Sequence, residues 1–204
     1  MCYFFYPEIK TFLSEEELNE IKNELIEIDP DYQSIFLEKR RIGENEKHIC
    51  SLIRNDDVVE FIKTVNYAKI PISGSIKPSI YETNLFLIDK NPTLIEYAAF
   101  YGSIQIVQYL LNINAKIENE NLWIYSIHSN SADMIHLLES KLIEIDDQSM
   151  EKVYLESIKC HHNQFANYIE NNLLNRKIDI VNDEMKENEE IISTILKYHN
   201  YLYL

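Results

Sequence analysis

The chain has 204 residues, and its 46% apolar content with 14 Tyr and 8 Phe excludes an intrinsically disordered protein. Its formal net charge of −15 repels phosphate backbones and anionic lipid headgroups, so we expect neither nucleic acid nor a membrane as a partner. With only 3 Gly and 5 Pro, helices are favoured over long irregular loops, and a glycine-rich phosphate-binding loop is excluded.

Cysteine usage and the chain start indicate a compartment. Cys2, Cys50 and Cys160 are few and widely spaced, which is typical of a reducing environment rather than of a disulfide framework. The start lacks the basic region of a secretion signal. No apolar run approaches the roughly 20 residues of a membrane span. We therefore expect a cytoplasmic monomer, and the nucleus is also compatible with these features.

The first predicted element is an amphipathic helix that begins at Ser14. Ser14 and Glu17 have the spacing of a capping box. Asp29-Pro30 is expected to end the helix. Its apolar stripe consists of Leu18, Ile21, Leu25 and Ile28. We assign residues 1–43 to a short N-terminal helical segment.

A basic cluster, Lys39-Arg40-Arg41, lies near the end of this segment. Three charges could serve nuclear import or anion binding. The interpretation we favour is a solvated helix end.

Residues 48–66 have the pattern of two helices joined by a turn. Asn55 to Asp57 separates two helically spaced apolar sets, and Asp57 is a plausible N-cap. An insertion follows from Ala68 to Pro92. Its Pro and Gly residues exclude a continuous helix, so we predict turns with one short helix around Ser79 to Asp89.

Three later segments align without a gap, at offsets of 28 and 31 residues. They read LIEYAAFYGSIQIVQYLLN from Leu94, LWIYSIHSNSADMIHLLES from Leu122 and VYLESIKCHHNQFANYIEN from Val153. Such a period predicts a solenoid of helix–turn–helix units that bury their apolar faces on one another. We call these units repeats, and they span about 48–66, 94–112, 122–140 and 153–171, with a closing helix at about 189–202.

Particular positions in these units have predicted roles. Gly102, Asn130 and His161 are the equivalent turn residues. Ser103 is expected to cap the second helix of its unit. Trp123 aligns with an apolar position and is predicted to lie in the core between units.

The first of these units resembles the ankyrin repeat. Its residues 93–99, 102–107 and 110–111 follow the pattern TPLH-x-AA, GHLEIV and LL. The phrases RRIGEN, KPSIYETN, NPTLIEYAAFYGSIQI and IKCHHNQFANYI also resemble a large ankyrin-repeat family expanded in parasitic protists, which carries a domain of unknown function. The resemblance implies an all-α, ankyrin-type solenoid with degenerate repeats, and a role in protein–protein interaction. Since the period is below the usual 33 residues, the tips between repeats are expected to be simple turns.

The cysteine and histidine residues allow a metal-site, a catalytic or a structural interpretation. The run Cys160-His161-His162, with His128, His136 and His199 elsewhere, suggests a metal site. Adjacent side chains point apart, however, and no CxxC or HExxH spacing occurs, so a structural turn is favoured. Cys160 beside His161 also lacks the geometry of a nucleophile with its base. We predict no enzyme activity, no metal and no cofactor.

A binding surface is predicted at the ends of the first helices. In the ankyrin pattern these positions face the concave groove. The alternative, left open, is that Phe100 or Tyr101 packs beneath the insertion. The candidate partner-binding residues are Phe100, Tyr101, His128, Ser129, Lys159 and Cys160.

The predicted function is therefore non-catalytic binding of another protein, possible partners including a basic one. Two alternatives follow from other parts of the chain. The apolar tail Tyr198 to Leu204 could form a self-associating structural module. The array could also be the targeting arm of an enzyme complex, with an active site in residues 1–43.

Overall fold

The structure, a computed structural model, describes residues 3–174 and 183–203. Within these ranges the chain is helical and contains no β-strand, which confirms the predicted all-α class. The α-helices are α1 Tyr6–Ile9, α2 Glu15–Ile28, α3 Tyr32–Ile42, α4 His48–Arg54, α5 Val58–Ala68, α6 Leu94–Phe100, α7 Ile104–Asn112, α8 Asn119–His128, α9 Ala132–Ser140, α10 Asp147–Lys159, α11 Asn163–Tyr168 and α12 Asp183–Tyr198. Short 3-10 turns cover Lys10–Phe12 and Tyr201–Tyr203, and a π-helical turn covers Ile169–Leu173.

The chain divides into two compact units. Unit 1 comprises Met1–Ser51 and Ser75–Pro92, and unit 2 comprises Leu52–Gly74 and Thr93–Leu204. The sequence prediction placed the boundary after residue 43 and counted the whole insertion with the repeats. The structure instead groups most of the insertion with the N-terminal segment.

In unit 1, helix α2 has the predicted start and end. The backbone N–H of Glu17 donates to Ser14 Oγ at 3.4 Å, and the backbone N–H of Ser14 donates to Glu17 Oε2 at 2.8 Å. This reciprocal pair confirms the capping box. Along the predicted stripe Leu25 is fully buried, but Ile28 is 48% exposed because it is the last residue of the helix.

The core of unit 1 is a cluster of aromatic rings around Leu25. Tyr32 and Phe36 of α3 meet edge to face at 5.8 Å, and Phe36 meets Tyr81 at 5.5 Å. Tyr81 comes from the insertion, so that segment supplies part of a core.

The helix predicted around Ser79 to Asp89 is wrong, because this stretch forms turns. The backbone N–H of Asn84 donates to Glu82 Oε1, and that of Phe86 donates to Asn84 Oδ1, each at 2.9 Å. Such local side-chain acceptors compete with the hydrogen bonds of a helix.

The basic cluster of α3 is engaged in ion pairs within unit 1. Lys39 Nζ lies 2.7 Å from Asp29 Oδ2, and Arg40 contacts Glu8 at 2.6 Å. The hydroxyl of Tyr81 also donates to Asp29 Oδ2 at 2.7 Å. Two of the three basic residues thus have carboxylate partners, which gives no support to an anion site.

Unit 2 consists of helix–turn–helix pairs arranged in two rows. The first helices α6, α8, α10 and α12 pack in sequence, and the second helices α5, α7 and α9 form a second row. The aligned residues Leu94, Leu122 and Val153 are all buried, with 2%, 0% and 0% exposure. They therefore occupy corresponding environments, as the alignment requires. The connections 113–118 and 141–146 contain turns and no strand, also as predicted.

The turns after the first helices repeat in backbone detail. Gly102, Asn130 and His161 all have positive φ, with values of 71°, 50° and 59°, so the predicted equivalence is confirmed. In each turn this residue's N–H donates to the carbonyl three residues back. Asp56 and His199 adopt the same conformation with the same bond, which extends the register to both neighbouring units.

A second bond joins three of these turns to the preceding repeat. Ser103 Oγ donates to the carbonyl of Ile53 at 2.5 Å. At the equivalent positions, His162 donates to Ile127 and Asn200 to Ile158, each at 2.8 Å. The predicted cap by Ser103 is therefore wrong, since its hydroxyl donates to a carbonyl of the preceding repeat.

The N-terminus of α7 is satisfied by a residue of the preceding unit. The carboxylate of Asp56 accepts hydrogen bonds from the backbone N–H groups of Gln105 and Ile106, each at 3.0 Å. Asp57 caps α5 as predicted, accepting from the N–H of Glu60 at 3.1 Å. The two turns are thus linked by hydrogen bonds between a side chain of one and backbone groups of the other.

Close packing of the first helices explains which sequence changes the repeats tolerate. Ala98, Ser126 and Ser157 are aligned and fully buried. The two serine hydroxyls donate to carbonyls of their own helices, so a small polar residue replaces alanine without an unsatisfied group. Trp123 is 2% exposed, as predicted for the core, and its indole N–H donates to the carbonyl of Ile143 at 2.7 Å.

Candidate functional site

The six predicted binding residues lie where the first helices of unit 2 end. Phe100, His128 and Lys159 are the last residues of α6, α8 and α10. Each is followed by the first turn residue, Tyr101, Ser129 or Cys160. Because α6, α8 and α10 pack side by side, these ends form a row. We call the six residues Phe100, Tyr101, His128, Ser129, Lys159 and Cys160 the helix-end strip.

Aromatic contacts join the strip residues at the ends of α6 and α8. The rings of Phe100 and His128 stack with centroids 5.2 Å apart and planes 26° apart. Phe100 also contacts Tyr101 at 5.0 Å and Tyr125 at 6.5 Å. Phe100 is only 7% exposed, so it supports the strip from below, whereas Tyr101 and His128 are half-buried and reach its surface.

Polar contacts join the second and third units. His128 Nε2 lies 3.1 Å from Glu156 Oε1, and Cys160 Sγ lies 3.5 Å from His128 Nδ1. Lys159 Nζ donates to Glu156 Oε2 at 3.1 Å. The strip residues His128, Lys159 and Cys160 therefore meet around Glu156, which the sequence interpretation did not include. Glu156 is four residues before Cys160, and that helical spacing could have revealed it.

The charges in this cluster follow from its partial burial. Burial opposes ionisation of Glu156, but the hydrogen bond from His128 and the Lys159 ammonium hold its pKa below the usual value. Burial, assisted by the Glu156 charge, raises the pKa of the Cys160 thiol to about 12. Cys160 is therefore a neutral thiol at pH 7 and a weak nucleophile.

The same register places further residues at both ends of the strip. Arg54 aligns with Phe100, donates to the Tyr97 hydroxyl at 2.9 Å and lies 5.9 Å from the Tyr101 ring centroid. Beyond Cys160, the Lys159 ammonium lies 5.9 Å from the ring centroid of Tyr198. Extending the alignment to the outer units would have predicted both positions.

His136, His161 and His162 make contacts outside the helix-end strip. His161 occupies the left-handed turn position and its Nε2 donates to the carbonyl of Tyr198 at 2.8 Å. Burial lowers the pKa of His162, which bonds the carbonyl of Ile127. His136 pairs with Glu139 at 3.1 Å on α9. His161 and His162 thus occupy the turn positions that the sequence predicted, whereas Cys160 faces His128 and Glu156.

A shallow apolar groove lies on the second helices of unit 2, between α9 and α11. Its volume is about 210 Å³. It is lined by Ala132, Ile135, His136, Gln164, Phe165 and Tyr168. Few polar groups face it, so it offers little specific chemistry.

Comparisons with protein families, with curated proteins and with solved structures gave no match. In the part of the chain that the structure describes, no helix has both the length and the apolar character needed to cross a membrane.

Proposed function

We propose that this chain is a non-catalytic interaction module, in which unit 2 is an ankyrin-type solenoid that binds another protein through the helix-end strip. One observation carries the proposal. Phe100, His128 and Lys159 end successive first helices at one alignment position, and side-chain contacts link them across the units.

The composition of the strip supports this role. A row of adjacent helix ends presents an extended surface rather than an enclosed pocket. Tyr101 and His128 provide aromatic groups with few rotatable bonds, which lose little entropy when a partner orders them. Lys159 provides a cation beside them, and tyrosine is one of the residue types enriched among those that dominate binding energies.

The charge of the chain bears on the partner. With its formal net charge of −15, the chain attracts a basic protein over a distance of about one Debye length, roughly 8 Å at physiological salt. We therefore include a basic protein among the expected partners, located with this chain in the cytoplasm.

The test compares strip and control variants of the full chain as bait in extracts of the native cell. The strip variant carries Tyr101→Ala and Lys159→Ala. The control carries Asp133→Ala and Gln164→Ala, two exposed and aligned positions on the second helices. Quantitative mass spectrometry identifies the partner, and calorimetry with the purified partner gives its affinity.

We expect the strip variant to bind the partner about tenfold or more weakly, while the control binds as the parent does. Circular dichroism checks that both variants are folded. Equal binding by the parent and the strip variant would show that the strip is not the binding surface.

A second candidate function, self-association, is favoured by the C-terminal end of unit 2. Ile192 and Leu196 of α12 are 48% and 53% exposed, although the aligned residues Tyr154 and Ile158 of α10 are buried. Leu202 is also 92% exposed, while Leu204 lies outside the described residues. Sedimentation of the full chain, compared with a Leu196→Glu and Leu202→Glu variant, tests this candidate: a monomer in both cases removes it.

A further inference from the structure

We propose that His128, Glu156 and Cys160 form a binding site for Zn²⁺ whose fourth coordination position is open to water. The three residues offer a nitrogen, an oxygen and a sulfur ligand, and these atoms all lie within 4.8 Å of one another. This proposal does not depend on partner binding by the strip.

The spacing of the three atoms is close to that of a tetrahedral zinc site. Zinc bond lengths of 2.0–2.3 Å at tetrahedral angles place neighbouring ligand atoms about 3.4–3.6 Å apart. Here His128 Nε2 lies 3.1 Å from Glu156 Oε1 and 3.8 Å from Cys160 Sγ. The third pair, a Glu156 carboxylate oxygen and Cys160 Sγ, lies within 4.8 Å, so the three atoms face one common position.

The fold positions these ligands on two packed helices. Glu156 and Cys160 are four residues apart at the end of α10 and so share one face of it. His128 is the last residue of α8, the neighbouring first helix. A site built on packed helices keeps its geometry better than one built on loops.

Neighbouring side chains orient two of the ligands. Lys159 Nζ holds Glu156 Oε2 at 3.1 Å, which leaves Oε1 directed at His128. The Phe100 ring stacks on the His128 ring and limits its rotation. Such outer contacts fix ligand orientation in metal sites.

The donor set selects the kind of metal. A thiolate and an imidazole favour Zn²⁺ over Ca²⁺ and Mg²⁺, which prefer oxygen ligands. On binding, the S–H bond of Cys160 breaks, the sulfur electron pair forms the Zn–S bond, and the proton passes to the buffer. The thiolate and the Glu156 carboxylate together balance the charge of the ion.

The test uses Co²⁺ as a spectroscopic probe for the zinc site. Chelator-treated full-length protein, kept reduced with a phosphine, is titrated with Co²⁺ and then with Zn²⁺. We expect one equivalent of Co²⁺ to produce a thiolate-to-cobalt charge-transfer band, which Zn²⁺ removes. Cys160→Ser should abolish the band, and His128→Gln or Glu156→Gln should weaken Co²⁺ binding at least tenfold.

Two control variants separate this site from other thiols and histidines. Cys2→Ser removes a different thiol. His136→Gln removes a histidine that also lies 3.1 Å from a carboxylate, that of Glu139. His136 is not one of the three proposed ligands. Both controls should give the parental band. The proposal is overturned if the parent shows no charge-transfer band, or if folded Cys160→Ser or Glu156→Gln protein binds Co²⁺ as the parent does.

Discussion

The two units of this chain are stabilised by different kinds of contact. In unit 2, similar contacts between neighbouring turns recur from repeat to repeat. The matching bonds of Ser103, His162 and Asn200 are examples. In unit 1, the core is an aromatic cluster around Leu25, and its Tyr81 hydroxyl donates to the carboxylate of Asp29, a buried residue that is 7% exposed. Tyr81 of this cluster comes from a segment that forms turns.

This difference determines what a substitution reveals. A position in one repeat has equivalents in the others. The residue found in one repeat therefore predicts which residue types the next repeat tolerates there, as the buried Ala98 and Ser126 illustrate. Among the residues that the structure describes, the contacts of Asp29 with Lys39 and Tyr81 belong to no repeated pattern. The strongest tests of the comparison therefore place matched changes in the two units.

The largest effect is expected from Leu122→Ala in unit 2. Leu122 is fully buried, so truncation removes apolar contacts and leaves a cavity that costs about 2–5 kcal/mol of stability. Urea unfolding measures the change. Val59→Ala is the control, since Val59 is 61% exposed and its truncation should cost less than about 1 kcal/mol. Equal effects of the two changes would contradict the assigned core.

The next effect is expected from Asp29→Ala in unit 1. The carboxylate accepts hydrogen bonds from Lys39 Nζ and the Tyr81 hydroxyl, each at 2.7 Å. Its removal leaves the fully buried Tyr81 without this acceptor, at a cost of about 1–3 kcal/mol. Tyr81→Phe, which keeps the ring, should cost about 1 kcal/mol by urea unfolding. A larger loss from Tyr81→Phe than from Asp29→Ala would show that the carboxylate does not organise the cluster.

The same carboxylate predicts a pH dependence. Burial opposes its ionisation, but hydrogen bonds from Lys39 and Tyr81 outweigh this and hold its pKa below the usual 3.8. As the folded pKa is depressed, the stabilisation is complete above the unfolded pKa and is lost as pH falls through the folded value. The stability difference between the parent and Asp29→Asn should therefore be largest near pH 7 and shrink towards pH 3. A difference that grows in acid would refute this assignment.

The sequence was most informative where its pattern repeats. The alignment of Gly102, Asn130 and His161 correctly predicted three equivalent turns, and all three residues have positive φ. The turns of residues 79–89 were mistaken in part for a helix, since their local bonds to the Glu82 and Asn84 side chains have no periodic signature.

The candidate site was predictable in position but not in chemistry. The alignment placed His128 and Cys160 on neighbouring helix ends. It could not show that Glu156 turns towards His128, because side-chain direction depends on the packing of α8 against α10. The role of Ser103 was missed for the same reason, since its acceptor, the carbonyl of Ile53, is 50 residues away in sequence.

A smaller effect tests the repeated turns. Gly102 has φ of +71°, where a Cβ costs about 1–2 kcal/mol. An added Cβ would lie 3.5 Å from Ser129 Cβ, which is ordinary contact, so backbone conformation dominates. Gly102→Ala should therefore lower stability by about that amount in urea unfolding. Gly74→Ala is not a suitable control, because its Cβ would lie 2.8 Å from the carbonyl oxygen of Pro71.

The smallest effect is expected from Gly102→Asn, which tests the equivalence of the units directly. Asn130 already occupies the same turn position with φ of 50°, and Asn adopts the left-handed region more readily than Ala. Gly102→Asn should therefore cost less than Gly102→Ala, by about 0.5 kcal/mol or more. Parallel urea titrations of the two variants measure the difference. If Gly102→Asn proves as costly as Gly102→Ala, the surroundings of the two turns are not equivalent, although both residues have positive φ and donate to the carbonyl three residues back.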